Sequence, residues 1–256
     1  MSVKDEVVIV TGGSSGMGKY MAKKFAHEGA KVVITGRDQE RLDQAKEDIL
    51  EGKDLKVKTV VMDVRKPEDV NRMVEETVEE YGVIHHLVNN AAGNFIAPAE
   101  KLSVNGWNAV IDIVLNGTFY CSHSVGNYWI ENGIKGNIVN MVATYAWNAG
   151  AGVIHSASAK AGVLTMTRTL SVEWGRKYGI RSNAIAPGPI DRTGGAEKLW
   201  ESEEAAKRTL QSVPLGRLGE PEEIADLAYF ILSDAKYMNG EVVTLDGGQW
   251  LNKFPF

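Results

Sequence analysis

Short apolar runs rich in β-branched residues alternate along this chain with longer amphipathic stretches. Several runs are continuously apolar, as is typical of strands that are covered on both faces. They predict strands at Val7–Val10, Lys31–Ile34, Val57–Met62, His86–Asn89, Asn137–Met141, Arg181–Ile185 and Val242–Thr244. The stretches between them predict helices at Gly18–Glu28, Asp38–Leu50, Pro67–Tyr81, Val104–Ile130, Ala159–Tyr178 and Pro221–Leu232. This alternation predicts an α/β fold, a doubly wound parallel sheet with helices on both faces.

The predicted elements follow one another without a linker, a repeat or a low-complexity segment, so we expect one domain over residues 1–256. The segment Asp191–Leu215 differs from the rest because it is charged and contains no strand pattern. We predict that it forms a short helical flap over the substrate.

The charge balance narrows the possible partners. Lys and Arg number 28 and Asp and Glu number 33, which gives a net charge of −5. Such a chain is a poor candidate for binding nucleic acid or an anionic membrane, since phosphates select basic surfaces. Charges precede the apolar run at Val7, and no apolar stretch is long enough to span a bilayer, so we expect neither a signal peptide nor a membrane span. These features predict a cytoplasmic protein that acts on small molecules.

Cysteine and histidine content argues against a metal site. Cys121 is the single cysteine of the sequence, which excludes an internal disulfide and a multi-cysteine metal centre. The five histidines show no spacing that groups them, so no metal is expected. His155 falls near the chemistry considered below, where we expect a packing role, with a pocket-wall role as the alternative.

A glycine-rich segment, Thr11-Gly12-Gly13-Ser14-Ser15-Gly16-Met17-Gly18, directly follows the first predicted strand and leads into a helix. Glycines at this junction let backbone N–H groups approach a pyrophosphate, which the helix N-terminus also attracts. The segment alone would be weak evidence. Its position at the first strand–helix junction of an alternating chain predicts a dinucleotide site.

The choice between NAD and NADP depends on two residues, Arg37 and Asp38, that follow the second strand. Asp38 stands twenty residues after Gly18, where an acid would bind the ribose 2′-hydroxyl of NAD. However, Asp38 lies beyond the strand end and has the pattern of a helix N-cap. Its neighbour Arg37 suits a 2′-phosphate, with a solvated surface arginine as the alternative. We therefore predict NADP(H).

The glycine segment, Asn89-Asn90-Ala91-Ala92-Gly93 and Pro187-Gly188-Pro189-Ile190 together resemble the short-chain dehydrogenase/reductases. The resemblance extends over essentially the whole chain. It implies a seven-stranded Rossmann-type domain and, commonly, a homotetramer. It also implies that Asp63 holds the adenine, that Asn90 lies along the adenosine ribose, and that Pro187–Ile190 contacts the nicotinamide. The full set of implied cofactor contacts comprises Gly12, Ser14, Ser15, Gly16, Met17, Gly18, Arg37, Asp63, Val64, Asn90, Lys160, Pro187, Gly188 and Ile190.

The catalytic pattern of that family is broken in this chain. Its lysine corresponds to Lys160 and its helix asparagine to Asn116, but Ser156 stands four residues before the lysine, where the family has tyrosine. The usual catalytic serine corresponds to Ala143. Two interpretations follow from the residues: the chain has lost catalysis and kept the cofactor, or the chemistry has moved to another phenol, Tyr145, at the end of the fifth strand.

A narrower resemblance, to the 2,4-dienoyl-CoA reductase branch, favours the second interpretation. It rests on Asn89–Phe95, on Asp112–Thr118 and on the Tyr145-to-Lys160 spacing with Ser156. It implies NADPH-dependent reduction of a 2,4-dienoyl-CoA to a 3-enoyl-CoA, in the β-oxidation of unsaturated fatty acids. In that branch, residues corresponding to Tyr145 and Asn94 bind the thioester oxygen. Lys160 would bind the nicotinamide ribose, and Ser156 would bond the cofactor or a catalytic neighbour, unless it is a plain helix-start serine.

The same resemblance implies an acyl-CoA site. Arg65 and Lys198 could meet the CoA phosphates, Arg37 could serve both ligands, and Phe95 and Ser103 could line the acyl–pantetheine path. For each of these, a solvated surface residue is the alternative. Two other functions stay open: a short-chain reductase of other enoyl or oxoacyl thioesters, and a non-catalytic NADP(H)-binding protein.

Overall fold

The computed structural model describes residues 2–193 and 203–252, which include a single parallel sheet of seven strands. The strands are β1 (Val7–Val10), β2 (Lys31–Gly36), β3 (Val57–Val61), β4 (His86–Asn89), β5 (Asn137–Met141), β6 (Arg181–Pro187) and β7 (Val242–Leu245). Their order is β3-β2-β1-β4-β5-β6-β7. The predicted seven-stranded, doubly wound fold is confirmed. Strand order reverses between β1 and β4, and such a switch point is where open α/β sheets bind ligands.

Helices cover both faces of the sheet. They are α1 (Gly16–His27), α2 (Gln39–Leu50), α3 (Pro67–Tyr81), α4 (Val104–Ile111), α5 (Gly117–Asn132), α6 (Ile154–Tyr178), α7 (Glu203–Ser212) and α8 (Pro221–Ser233). One face packs against α1, α2 and α8, and the other packs against α3 to α6. Successive residues of β1 show why: Val8 and Val10 belong to the first core, whereas Ile9 belongs to the second. This burial on both faces explains the continuously apolar strands.

Two helix starts follow the sequence signals. The Asp38 carboxylate accepts a hydrogen bond from the Arg41 N–H at 3.1 Å, so it caps α2 as predicted. At α8, the Glu220 N–H donates to the Glu223 carboxylate at 2.8 Å, and Pro221 occupies the first turn. Both elements therefore begin where local chemistry satisfies the first N–H groups.

Two predicted helices differ from the structure. The stretch Val104–Ile130 is divided by a π-helical turn at Asp112–Asn116, which separates α4 from α5. Gly117, just after this turn, lies so close to Val64 that a Cβ would be 2.7 Å from the valine methyl. The helix predicted from Ala159 instead begins at Ile154. Val153 at the N-cap offers no capping side chain, and the His155 ring accepts a hydrogen bond from the Ser156 N–H in its place.

The predicted flap is described in part. Helix α7 lies within it, whereas residues 194–202 fall outside the described residues. No helix in the described part of the chain is long and apolar enough to cross a membrane. In the same residues, no group of His, Cys, Asp or Glu side chains is arranged to hold a metal ion.

Candidate active site

The glycine segment turns tightly between β1 and α1. Gly12 has a φ of +65°, a left-handed conformation that glycine adopts without strain. A Cβ on Gly18 would lie 2.4 Å from both the Gly12 carbonyl oxygen and the Asn90 side-chain nitrogen. Ser15 precedes α1 without capping any of its first N–H groups through its side chain. The loop thus has the backbone exposure and the free helix N-terminus that suit a pyrophosphate.

Asn90 and Thr11 hold this loop to the end of β4. The Asn90 side-chain NH₂ donates to the carbonyl oxygens of Thr11 at 3.0 Å and Gly12 at 3.1 Å. The Thr11 hydroxyl accepts from the N–H groups of Asn90 and Ala91, each at 3.0 Å. The family resemblance implied a ribose contact for Asn90, and Thr11 was not among the predicted site residues. A hydroxyl directly before the first glycine was the available signal for a loop anchor.

Charged groups gather where β2 and β3 end. The Arg65 Nε donates to the Asp63 carboxylate at 2.9 Å, and this pairing lowers the pKa of Asp63, with Arg37 adding a weaker effect. Ser14 lies beside them, since a Cβ on Gly36 would be 3.2 Å from its hydroxyl. Arg65, which the resemblance assigned to CoA, thus lies in the same corner as Arg37 and Asp63, the predicted contacts of the adenosine moiety.

The segment after β6 approaches the glycine loop from across the switch point. The Gly188 N–H donates to the Leu245 carbonyl, and Gly188 lies so near Asp246 that a Cβ would be 2.6 Å from the Asp246 Cα. Ile190 forms a β-bridge with Gly219. Thr193, three residues later, comes within 3.8 Å of a Cβ built on Gly16. The Thr193 hydroxyl donates to the Ile190 carbonyl at 2.9 Å, so the end of the Pro187–Ile190 segment lies near the predicted dinucleotide loop. Met17 is partly buried against the core that contains Ile190.

Tyr145 and Ser156 meet at the carboxyl end of β5. Tyr145 lies on a short 3₁₀ turn, Thr144–Ala146, and its hydroxyl is 3.1 Å from that of Ser156 on α6. Burial raises the pKa of Tyr145, and the bond with Ser156 offsets this only in part. The phenol is therefore neutral at physiological pH and can donate a proton or a hydrogen bond.

Lys160 lies one helical turn beyond Ser156. Its buried ammonium donates to the carbonyl oxygen of Met141, the last residue of β5. Burial lowers the pKa of Lys160 to about 8. Desolvation of this kind disfavours the charged form, so the group titrates near physiological pH. Such perturbed groups concentrate at functional sites.

Asn116 belongs to the π turn beside α6. Its side-chain NH₂ donates to the Asp112 carboxylate at 2.8 Å, a contact that sequence analysis did not foresee. The turn packs near Lys160, because a Cβ on Gly162 would lie 2.8 Å from the Leu115 side chain. π-helical turns occur frequently at functional sites.

The remaining candidates lie on the loop after β4. Asn94 is exposed, and its side-chain oxygen accepts from the Phe95 N–H at 2.9 Å. The hydrogen bonds described for Asn94 do not join it to Tyr145, although the Ala97 N–H of its loop donates to the Gly152 carbonyl just before α6. Ser103 caps α4 by accepting from the Gly106 N–H at 3.0 Å, which gives it a structural role. Lys198 lies outside the described residues.

Comparison with known proteins identifies the family of this chain. Residues 12–249 match the family model described as enoyl-(acyl carrier protein) reductase. The chain is 62% identical over 257 residues to a probable 2,4-dienoyl-CoA reductase, (2E)-enoyl-CoA-producing, of Bacillus subtilis (strain 168), covering 99% of this chain and 100% of that protein. It is 40% identical over 252 residues to the probable 2,4-dienoyl-CoA reductase 3, (3E)-enoyl-CoA-producing, of Caenorhabditis elegans, covering 97% and 81%.

A solved structure agrees throughout its length. The crystal structure of a short chain dehydrogenase from Bacillus anthracis str. 'Ames Ancestor' superimposes with a TM-score of 0.92 at 65% identity, covering 99% of this chain and 100% of that one. The resemblance expected from the sequence, including its dienoyl-CoA reductase branch, is thereby confirmed. This chain belongs to the short-chain dehydrogenase/reductase family of oxidoreductases.

Proposed function

We propose that this chain reduces a 2,4-dienoyl-CoA to a 3-enoyl-CoA with NADPH. The observation that carries the proposal is the 3.1 Å contact between Tyr145 and Ser156, one helical turn before Lys160. The tyrosine and the serine that handle protons in carbonyl reduction are absent, because Ser156 and Ala143 occupy their positions. A phenol is instead available from the end of β5, displaced from the usual tyrosine position.

A phenol displaced from the usual tyrosine position suits the reduction of a carbon that lies far from the thioester carbonyl. A bound dinucleotide would supply the hydride. Its addition to C5 of the diene would move the π electrons of the conjugated system onto the thioester oxygen. The protein must then stabilise an oxyanion that lies away from the reduced carbon. Tyr145 is a neutral donor, and Asn94 on the adjacent loop would supply a second one. Preorganised donors of this type are a principal source of transition-state stabilisation.

The position of the proton decides the product. Protonation of the dienolate at C2 leaves a 3-enoyl-CoA, whereas protonation at C4 leaves a 2-enoyl-CoA. A hydroxyl that binds the thioester oxygen lies next to C2 and farther from C4, which supports the 3-enoyl product. The two curated relatives carry different product names, (2E) and (3E), so the product of this chain has to be measured.

The proposal of NADPH rather than NADH rests on the corner at the end of β2. The Asp38 carboxylate caps α2 through the Arg41 N–H, so it is already engaged where an NAD enzyme would use an acid. Arg37 and Arg65 add two guanidinium groups there, and Ser14 adds a hydroxyl. A 2′-phosphate would find charge-assisted donors in this corner.

The acyl-CoA site is proposed from the family resemblance. Arg65 and Lys198 would meet the phosphates of CoA, and Arg37 would serve both NADPH and CoA. Phe95 and Ser103 would line the acyl–pantetheine path. The proposal also includes that the protein is a homotetramer in the cytoplasm and that it acts in the β-oxidation of unsaturated fatty acids. Lys198→Glu should raise KM for the CoA substrate, and an unchanged KM would remove that residue from the site.

One assay separates the candidate functions. NADPH oxidation is followed with 2,4-hexadienoyl-CoA, crotonyl-CoA and acetoacetyl-CoA in parallel, and the product is compared chromatographically with (2E)- and (3E)-hexenoyl-CoA. We expect turnover of the diene to the (3E) product. Turnover of acetoacetyl-CoA alone would overturn the proposal. The absence of NADPH oxidation with all three substrates would favour a non-catalytic NADP(H)-binding protein. Turnover of crotonyl-CoA alone would favour a 2-enoyl reductase, which the description of the matching family model also suggests.

A further inference from the structure

His155 lies at the joint between the two loops that carry Tyr145 and Asn94. It is the second residue of α6, and its side chain is completely buried. The packing role expected from the sequence accounts for its burial. It does not account for the two contacts that its ring makes, one with the backbone of Ser156 on α6 and one with Phe95 on the loop of Asn94.

The first contact fixes the start of α6. The imidazole Nδ1 accepts the Ser156 N–H at 2.7 Å. This N–H is one of the first in the helix, and Val153 at the N-cap has no side chain able to satisfy it. The histidine ring therefore replaces a conventional cap. It holds the backbone of Ser156, whose hydroxyl contacts Tyr145.

The second contact reaches the opposite loop. The rings of His155 and Phe95 meet edge to face, with centroids 4.5 Å apart and planes inclined at 76°. Phe95 directly follows Asn94, whose side-chain oxygen accepts the Phe95 N–H. A backbone hydrogen bond of 2.9 Å from the Ala97 N–H to the Gly152 carbonyl joins the same two loops. One imidazole thus contacts the immediate neighbours of both proposed oxyanion donors.

The second ring nitrogen of His155, Nε2, argues against a role in packing alone. Because Nδ1 accepts a hydrogen bond, Nε2 carries the proton of the neutral ring. Nε2 is buried and has no hydrogen-bond partner among the described residues. An unpaired buried donor carries a stability penalty, which an apolar side chain of similar size would avoid.

We propose that His155 is a positioning residue that holds Tyr145 and Asn94 in one arrangement around the thioester oxygen. The inference rests on the proposed function, since the oxyanion belongs to that reaction. The imidazole acts through its neighbours: its acceptor sets Ser156, and its ring sets the loop of Asn94 and Phe95.

Two substitutions separate the two contacts. His155→Asn places an amide oxygen near the position of Nδ1, so it keeps an acceptor for Ser156 and loses the ring. His155→Phe keeps a ring against Phe95 and loses the acceptor. His123→Gln, on the exposed surface of α5, is the control. We expect both His155 variants to lower kcat with 2,4-hexadienoyl-CoA by about 10-fold to 100-fold, the effect of a small misplacement of reacting groups. NADPH affinity, measured by fluorescence, should change less than about twofold, and the control should match wild type.

A double-mutant cycle distinguishes positioning from general destabilisation. In Asn94→Ala and Tyr145→Phe backgrounds, adding His155→Phe should lower kcat by a much smaller factor than in wild type, because the group being positioned is already gone. An equal factor in every background would overturn the proposal. Unchanged kcat in both single variants of an active enzyme would do the same. Should His155→Phe fail to fold, His155→Asn carries the cycle.

Amide exchange keeps the test independent of the reaction. Faster exchange of the Ala97 N–H in His155→Asn, and of the Ser156 N–H in His155→Phe, is expected relative to wild type and to His123→Gln. If wild type does not reduce the diene, the proposed function fails on that result alone. Unchanged exchange at both amides would then overturn the positioning role as well.

Discussion

The hydroxyl oxygens of Tyr145 and Ser156 lie 3.1 Å apart, although the residues belong to different elements. Ser156 occupies the α6 position from which a tyrosine acts elsewhere in the family, one turn before Lys160. Here the phenol enters from the turn after β5 and bonds to the shorter serine side chain. The phenol of Tyr145 therefore lies beside the helical turn of Lys160, although it is carried by a different element of the fold.

The first prediction concerns this hydroxyl pair. Tyr145→Phe should lower kcat with 2,4-hexadienoyl-CoA by about 10²- to 10³-fold, the usual effect of removing one oxyanion donor. Ser156→Ala should lower it by about 2- to 10-fold, since a neutral hydrogen bond that only orients the phenol contributes roughly 0.5–1.5 kcal/mol. Both variants should bind NADPH like wild type. Tyr237→Phe, fully exposed to solvent, is the matched control, and normal turnover by Tyr145→Phe would show that the phenol is not used.

The second prediction is a pH effect from Lys160. Because burial lowers its pKa to about 8, the free enzyme holds Lys160 charged below that pH and increasingly neutral above it. The ammonium would donate to the nicotinamide ribose, so kcat/KM for NADPH should fall as pH rises through about 8. Lys160→Met should show a low value and lose this step. A profile that keeps the step in Lys160→Met would assign it to another group.

Features contained within one element were predictable from the sequence. Burial on both faces favours short runs rich in apolar, β-branched residues, and β1, β4 and β5 begin and end at the predicted residues. The glycine segment and the Ser156-to-Lys160 spacing each lie within one local structure, where chain distance determines spatial distance. By contrast, a π turn inserts one residue into a helix without changing its amphipathic pattern visibly, and Asp112–Asn116 was missed for that reason.

Contacts between elements were not predictable from spacing. Arg65 and Asp63 form an ion pair in the corner of Arg37, whereas their proposed ligands were assigned separately. The contact of His155 with Phe95 joins segments sixty residues apart, and neither position shows a pattern that distinguishes it from core packing. The role of Tyr145 could be predicted only with the family resemblance, because a tyrosine at a strand end can also simply line the wall of a pocket.

The third prediction concerns acid stability. Glu6, which precedes β1, pairs with His86 Nε2 at 2.6 Å, and this hydrogen bond lowers the pKa of Glu6 from its ordinary value. A carboxyl with a lowered folded pKa stabilises the protein above its unfolded value and loses that effect as pH falls through the folded one. Glu6→Gln should therefore have a lower Tm than wild type at pH 7, with the difference shrinking below about pH 4. Glu79→Gln, exposed on α3, should match wild type at both pH values, and a pH-independent difference would contradict the assignment.

The fourth prediction tests the anchoring of the glycine loop. A Cβ on Gly18 would lie 2.4 Å from the Gly12 carbonyl oxygen, so the loop must shift to accept alanine. Gly18→Ala should raise the Kd for NADPH at least about tenfold and destabilise the fold by about 1–3 kcal/mol, a typical overpacking effect. Gly133→Ala is the control: its φ of +65° strains alanine, but nothing lies within 4 Å of the added carbon. It should lower Tm and leave Kd unchanged, whereas parallel losses of affinity would indicate an indirect effect.

The fifth prediction decides between the two dinucleotides. Arg37 follows β2 and is close enough to Asp63 to lower the pKa of that carboxyl, so its guanidinium faces the predicted adenosine corner. Charge-assisted hydrogen bonds contribute about 1.5–3 kcal/mol, which corresponds to roughly 10- to 100-fold in binding. Arg37→Ala should therefore raise KM for NADPH by about that factor and leave KM for NADH nearly unchanged. Arg41→Ala, exposed on α2, should affect neither cofactor. Equal increases for NADPH and NADH would mean that Arg37 does not contact a 2′-phosphate, and the preference would then rest with Arg65, tested by the same pair of measurements on Arg65→Ala.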